Sequence, residues 1–191
     1  MNKTLLAAIL LSTTALSAQA VESSYKLDPT HTFPTFEISH LGFSTFRGRF
    51  DETSGLVKYD PERKTLAVEA TIKVESIDTG VDKLDDHLEK ADFFDATKYP
   101  LITFKSTAAV FEGEKPVTVT GDLTMHGVTR PVTLTVDAFS CKAHPLAGVW
   151  ACGADLSAKI KRSDWGIDKY VPAVGDEVLL RIEAEAHQPK K

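Results

Sequence analysis

Short runs in which apolar and polar residues alternate one by one fill most of this chain. That period of two is the signature of half-buried β-strands. Residues 65–74 show it most cleanly: Leu66, Val68, Ala70, Ile72 and Val74 face one way, Glu69, Thr71 and Lys73 the other. One dry face and one wet face predict antiparallel pairing. The same alternation runs through residues 117–125, 132–138, 152–160 and 178–184. Nearer the start, Tyr25 and Leu27 open a strand that Asp28-Pro29 ends. Residues 31–40 form the next, with Phe36, Ile38 and His40 on one face. Pro34 within it predicts a strand end or a bulge, because proline cannot donate to the ladder. Phe46, Gly48 and Phe50 then alternate with Arg47 and Arg49, and Gly48 marks a bend in a curved sheet. Leu41-Gly42, Asp60-Pro61, Glu112-Gly113 and His126-Gly127 read as turns.

One stretch departs from this period. Val81, Leu84, Leu88 and Ala91 recur at spacings of three and four, which places them on one face of a helix. Asp92-Phe93-Phe94-Asp95 follows, and Tyr99-Pro100 ends any helix because the residue before proline leaves the α region. Ile102, Phe104 and Ser106 then resume the strand alternation. The pattern predicts an all-β antiparallel sheet of roughly eight to ten strands with one short helix. Closing such a sheet into a barrel removes its exposed edges, and an eight-stranded barrel can hold one small ligand. The helix and its aromatic step would plug one end of the barrel. They either touch a ligand there or only pack the end.

The chain has 191 residues, and its first 20 stand apart from the fold. Lys3, the apolar run from Leu5 to Leu11 and the Ala18-Gln19-Ala20 site form a secretory signal peptide, with an apolar run too short to span a bilayer. This predicts periplasmic export and one mature domain over residues 21–191. The leader carries one lysine and no acid, so cleavage moves the net charge from −5 to −6. Mild acidity argues against a nucleic-acid partner, which needs a basic face. The lysines are scattered and no later apolar stretch is long enough to span, so no stable membrane insertion is expected. The two cysteines, Cys141 and Cys152, flank a hairpin turn in the exported part, where an oxidising compartment favours a disulfide.

The search for catalytic constellations finds no G-x-S-x-G, no H-E-x-x-H and no phosphate loop. The six histidines (His31, His40, His87, His126, His144 and His187) are dispersed along the chain, and no second Cys–His pair completes a metal site. Asp85 and His87 are the one neighbouring acid and base that an enzyme could use, although surface solvation explains them as well. Ser163-Asp164 would hydrogen-bond its own loop. What remains is large apolar surface: Phe36, Phe46, Phe50, Phe93, Phe94, Phe104 and Trp165. These rings fill the barrel, or they line a pocket within it.

Four segments together resemble a known family. They are His31-x-x-x-x-Phe36-x-Ile38-x-His40-Leu41-Gly42; Asp85-x-His87-Leu88 through Asp92-Phe93-Phe94 to Tyr99-Pro100 and Phe104-x-Ser106; Leu123-Thr124-Met125-His126-Gly127-Val128-Thr129-Arg130-Pro131-Val132; and Arg162-Ser163-Asp164-Trp165-Gly166. In that order they are similar to the YceI-like family of periplasmic lipid- or polyisoprenoid-binding proteins. Leu84 stands where that family often has arginine, and Trp165 where phenylalanine is common. The resemblance implies a lipocalin-like barrel with an elongated internal apolar cavity and no catalytic residues. It implies no cofactor beyond a bound isoprenoid or other long-chain lipid, which would be the main partner; a homodimer is left open. The expected ligand-binding residues are Phe36, Ile38, Phe46, Phe50, Phe93, Phe94, Phe104, Leu123, Met125 and Trp165. Three functions compete on these grounds: a lipid carrier, an enzyme acting on such a lipid through Asp85 and His87, and an interaction module whose barrel is filled.

Overall fold

The computed structural model describes residues 23–189. The expected leader lies outside them. Eleven strands appear, β1 (Ser23–Leu27), β2 (Phe33–His40), β3 (Ser44–Phe50), β4 (Thr53–Asp60), β5 (Thr65–Lys73), β6 (Ile77–Asp78), β7 (Leu101–Glu112), β8 (Lys115–Met125), β9 (Val128–Ala143), β10 (Trp150–Lys161) and β11 (Val174–His187). Every pairing is antiparallel. Eight of the strands close a ring in the order β1-β4-β5-β7-β8-β9-β10-β11 and back to β1.

The ring closes narrowly. β10 pairs along almost the whole of one edge of β11, but two strands share the other edge. β2 occupies it from Val174 to Glu183, and β1 takes over at Ala186 and His187. The seam between β1 and β11 is therefore only two rungs, Lys26–His187 and Leu27–Ala186. The β2–β3 hairpin extends beyond the ring, with β6 on its outer side.

The alternation seen in the sequence becomes the two faces of this wall. In β5, Leu66, Val68, Ala70 and Ile72 face inward, while outside Glu69 meets Lys105 at 2.8 Å and Lys73 meets Glu52. Val68 N–H lies beyond the β5–β7 ladder and donates instead to Ser106 Oγ at 2.8 Å. Pro34 lies at the start of its strand, as expected: it is the second residue of β2, pairs with Ile182 of β11 and precedes the first β2–β3 rung, where a missing N–H costs no ladder bond on that side. Gly48 does more than bend the sheet. It faces Phe36 across β2–β3, and a Cβ there would lie 2.4 Å from Phe36 Cζ.

Turn chemistry follows the sequence. His126 (φ 50°) and Gly127 (φ 74°) form the two-residue β8–β9 turn, the left-handed pair that matches strand twist. Cys141 and Cys152 are direct cross-strand partners of β9 and β10 and are disulfide-bonded.

The one α-helix among the described residues, α1 (Asp82–Leu88), is shorter than the three-and-four spacing predicts, and Ala91 is exposed. The chain wraps back at its end instead: Phe94 N–H donates to Leu88 O at 3.0 Å and Ala96 N–H to Glu89 O at 2.9 Å. That turn tucks Phe93 and Ala96 into the core. Among the described residues no helix is long and apolar enough to cross a bilayer.

Candidate functional site: an apolar cavity and its two ends

The inward faces of the ring enclose a cavity of about 200 Å³. Apart from Thr32, Thr53 and Glu185, every side chain on its wall is apolar. Phe50, Ile72, Ile102, Phe104, Leu123 and Met125 line one half. Leu27, Pro116, Phe139 and Ala186 line the other. Thr53 Oγ1 is buried and has no hydrogen-bond partner, an uncommon state for a hydroxyl.

The end near Phe50 is plugged. Phe36 and Phe94 pack on Phe50, with ring centroids 6.2 and 5.6 Å away. Phe93, Trp165 and Ile167 are buried in the same cluster. Trp165 Nε1 donates to Leu123 O at 3.2 Å, and His126 Nδ1 donates to Trp165 O at 3.0 Å. The opposite end is closed by Tyr59, whose hydroxyl donates to Glu114 O at 2.6 Å and whose ring packs between Phe111 and Phe139.

Of the residues expected from the sequence to bind ligand, Phe50, Phe104, Leu123 and Met125 are on the cavity wall. Phe36, Phe93, Phe94 and Trp165 form the plug beside it. Ile38 and Phe46 face each other across β2–β3, in the hairpin that extends beyond the ring, and neither reaches the cavity. The split has a physical cause: Pro34 and Phe50, at the base of the β2–β3 hairpin, line the cavity, whereas Ile38 and Phe46 lie nearer its tip. Pro34, Val57, Val132, Leu134 and Ile182 were missed and do line the cavity. The alternation of Val132, Leu134 and Ile182 was visible in the sequence; which strands bound the lumen was not.

Asp85 and His87 sit away from the cavity. Asp85 Oδ1 accepts Thr79 N–H at 2.9 Å and Thr79 Oγ1–H at 2.6 Å, which fixes the start of α1. His87 is exposed, with its ring edge-on to Phe93 at 4.8 Å.

The loop after β10 holds a residue to which the sequence assigned no role of its own. Arg162 is buried and donates to four backbone carbonyls: Gly175 from Nε, Ile167 from Nη1, and Lys169 and Val174 from Nη2, at 2.8 to 3.1 Å. Burial pushes its guanidinium pKa down, against the opposing pull of Asp176 and Asp168. Ser163 does not bond its own loop as expected: its N–H and hydroxyl both reach Asp176, at 2.9 and 2.8 Å. These contacts staple residues 162–176 over the plugged end.

On the side of Glu185 the cavity wall also borders the outer surface. A surface cleft of about 640 Å³ shares Phe139, Cys152, Gly153, Ala154, Ala184 and Glu185 with the cavity. The wall there is thin, because Gly153, Ala154 and Ala184 carry little side chain. Beside it Thr32 Oγ1 donates to Glu185 O and accepts Glu185 N–H, both at 3.2 Å, which binds the β1–β2 connection to β11. Burial acts to raise the Asp28 pKa, but hydrogen bonds from His31 and Thr30 outweigh it and hold the carboxyl at about 2. The same contact raises the His31 pKa.

The YceI-like domain matches residues 25–186. The chain belongs to the YceI-like family. Protein YceI of Shigella flexneri is 37% identical over 193 aligned positions, covering 100% of both chains. The crystal structure of Burkholderia cenocepacia BcnA superposes with a TM-score of 0.69 at 28% identity, over 83% of this chain and 98% of that one. A polyisoprenoid binding domain from Saccharophagus degradans shares the fold, with a TM-score of 0.66 at 18% identity over 87% of this chain and 99% of its own. In this YceI-like chain, the four segments quoted from the sequence map onto β2, the α1 plug with β7, the β8–β9 hairpin and the Arg162 staple. The last three frame the barrel's plugged end, while the first starts at His31 beside the cleft.

Proposed function

We propose that this protein is a periplasmic carrier that holds one end of a long apolar lipid chain, such as an isoprenoid, inside its barrel. The observation that carries this reading is the cavity itself: an apolar lumen of about 200 Å³ in which only Thr32, Thr53 and Glu185 are polar. Each methylene buried there contributes ~0.8 kcal/mol, part of which the ordering of the chain offsets. Several buried methylenes are therefore needed, which favours long chains. The plugged end near Phe50 and the thin wall beside Glu185 suggest a direction: the tail enters toward Phe104 and the polar head stays at the cleft. The polyisoprenoid binding domain from Saccharophagus degradans agrees with this class of ligand, and the leader-like pattern of residues 1–20 agrees with the compartment.

A second reading, an interaction module with a filled barrel, draws on the size of the lumen. It is below the roughly 300–1,000 Å³ of common ligand pockets, so a long chain must displace side chains as it enters. Met125, unbranched and adaptable, is placed to yield. No catalytic step is assigned, since Asp85 and His87 do not face the lumen.

Protein purified from its native host without detergent, then extracted with organic solvent, should yield a long-chain lipid by mass spectrometry. Phe104→Asp should lose that lipid, because an unpaired charge in an apolar lumen is costly. Wild-type protein that carries no lipid and takes up none from added long-chain isoprenols would sink the carrier reading and favour the filled barrel.

A further inference from the structure

Three of the six histidines, far apart in sequence, meet at the seam that closes the barrel. His187 is the last residue of β11 and forms one of the two seam rungs. Side-chain nitrogen and oxygen atoms of His144, Glu185 and His187 lie within 4.8 Å of one another, and so do those of Asp28, His31 and Glu185. Glu185 belongs to both sets.

His187 Nε2 is the telling atom. It is sealed from solvent and has no hydrogen-bond partner. It stands 3.8 Å from Glu185 Oε2 and 3.9 Å from Asp28 Oδ2. Those gaps are too long for hydrogen bonds. They are close to the spacing of donors that share one cation about 2.0–2.2 Å from each, and small side-chain shifts close the difference.

We propose that this cluster binds a divalent transition-metal ion of the zinc, cobalt, nickel or copper kind, with His187 Nε2 and Glu185 as central ligands and Asp28 beside them. Imidazole together with carboxylate selects such ions over magnesium and calcium, which take oxygen donors. The other two histidines play unequal parts. His31 donates Nδ1–H to Asp28 Oδ2 at 2.8 Å, which orients that carboxylate and leaves His31 Nε2 as a further donor atom. His144 Nδ1 accepts the N–H groups of Leu146 and Ala147 at 3.1 and 2.9 Å. Its neutral ring then carries the proton on Nε2 and offers a cation no lone pair. It supports the site from outside, packed against the His187 ring with centroids 5.1 Å apart.

The location gives the ion a structural consequence. Asp28 follows β1, while Glu185 and His187 end β11, so one ion ties together the two strands that close the ring. Glu185 also borders the cavity and the cleft, which puts the ion beside the proposed mouth.

The test uses the untagged protein, stripped with chelator and titrated with Co²⁺ by visible absorption and with Zn²⁺ by calorimetry. One ion per chain is expected, with the Co²⁺ bands lost on adding Zn²⁺ and a higher melting temperature when loaded. His187→Ala and Glu185→Gln should each weaken binding by at least about tenfold, His144→Ala by less, and His40→Ala on β2 not at all. Glu185→Gln keeps the side-chain shape, so it decides the matter if His187→Ala unfolds. Absence of one-to-one Co²⁺ or Zn²⁺ binding in the wild type overturns the proposal, as does binding unchanged in folded Glu185→Gln.

Discussion

The ring of Phe104 lies over Gly121 so closely that a Cβ on the glycine would sit 2.5 Å from Phe104 Cζ and 2.6 Å from the carbonyl oxygen of Lys105. Phe104 and Leu123 pair directly on β7 and β8, and the ring fills the space that the missing side chain leaves. The lumen thus depends on a glycine for where its aromatic wall stands. Gly121→Val should push the ring out of place and destabilise the fold by about 1–3 kcal/mol, the usual cost of overpacking. Urea denaturation measures this, and lipid retention should fall with it. An unchanged midpoint would show that the ring has another low-energy position.

Arg162→Lys should destabilise the protein although the charge is kept. A lysine cannot reach four carbonyls fixed in different directions, and each buried carbonyl left unpaired costs about 1–3 kcal/mol. The expected loss is at least about 2 kcal/mol by urea denaturation, with early exchange of amides in residues 162–176. A loss within error would mean that water replaces the guanidinium.

Replacing both Cys141 and Cys152 with serine should cost about 2.5–3 kcal/mol, because the bridge closes a short loop of sequence separation 11 in the unfolded chain. The fold should persist, since the two strands stay paired on either side. A double variant as stable as wild type would place the bridge's role outside equilibrium stability.

Asp176 gives a signed pH dependence. The Ser163 N–H, then the Ser163 hydroxyl and Arg162, hold its carboxyl below the ordinary value of 3.8, with burial opposing. A carboxyl with a depressed folded pKa contributes stability that is complete above its unfolded value and is lost as pH falls through the folded one. The stability difference between wild type and Asp176→Asn should therefore be full at neutral pH and shrink below pH 3.8. Chemical denaturation at several pH values checks this; a difference that stays constant into acid would exclude the carboxylate as its source.

The period-two pattern of the chain determined most of its strands and their wet and dry faces, turn chemistry determined the His126-Gly127 turn, and the hairpin between Cys141 and Cys152 their pairing. These depend on neighbours within a hairpin, where local alternation and turn chemistry decide the outcome. Phe50, Phe104, Leu123 and Met125 were legible as interior residues for the same reason. Tertiary structure alone decided which dry faces share one lumen. Ile38 and Phe46 alternate as well as Leu123 and Met125 do, yet they lie toward the tip of the β2–β3 hairpin, beyond the part of it that lines the lumen. That placement is a matter of long-range register, and no local period encodes it. The Arg162 staple and the meeting of His31, Glu185 and His187 have the same origin, since each joins residues that only ring closure brings together. The cavity's volume was the least legible feature, because it is the small difference between the width of the ring and the side chains that fill it.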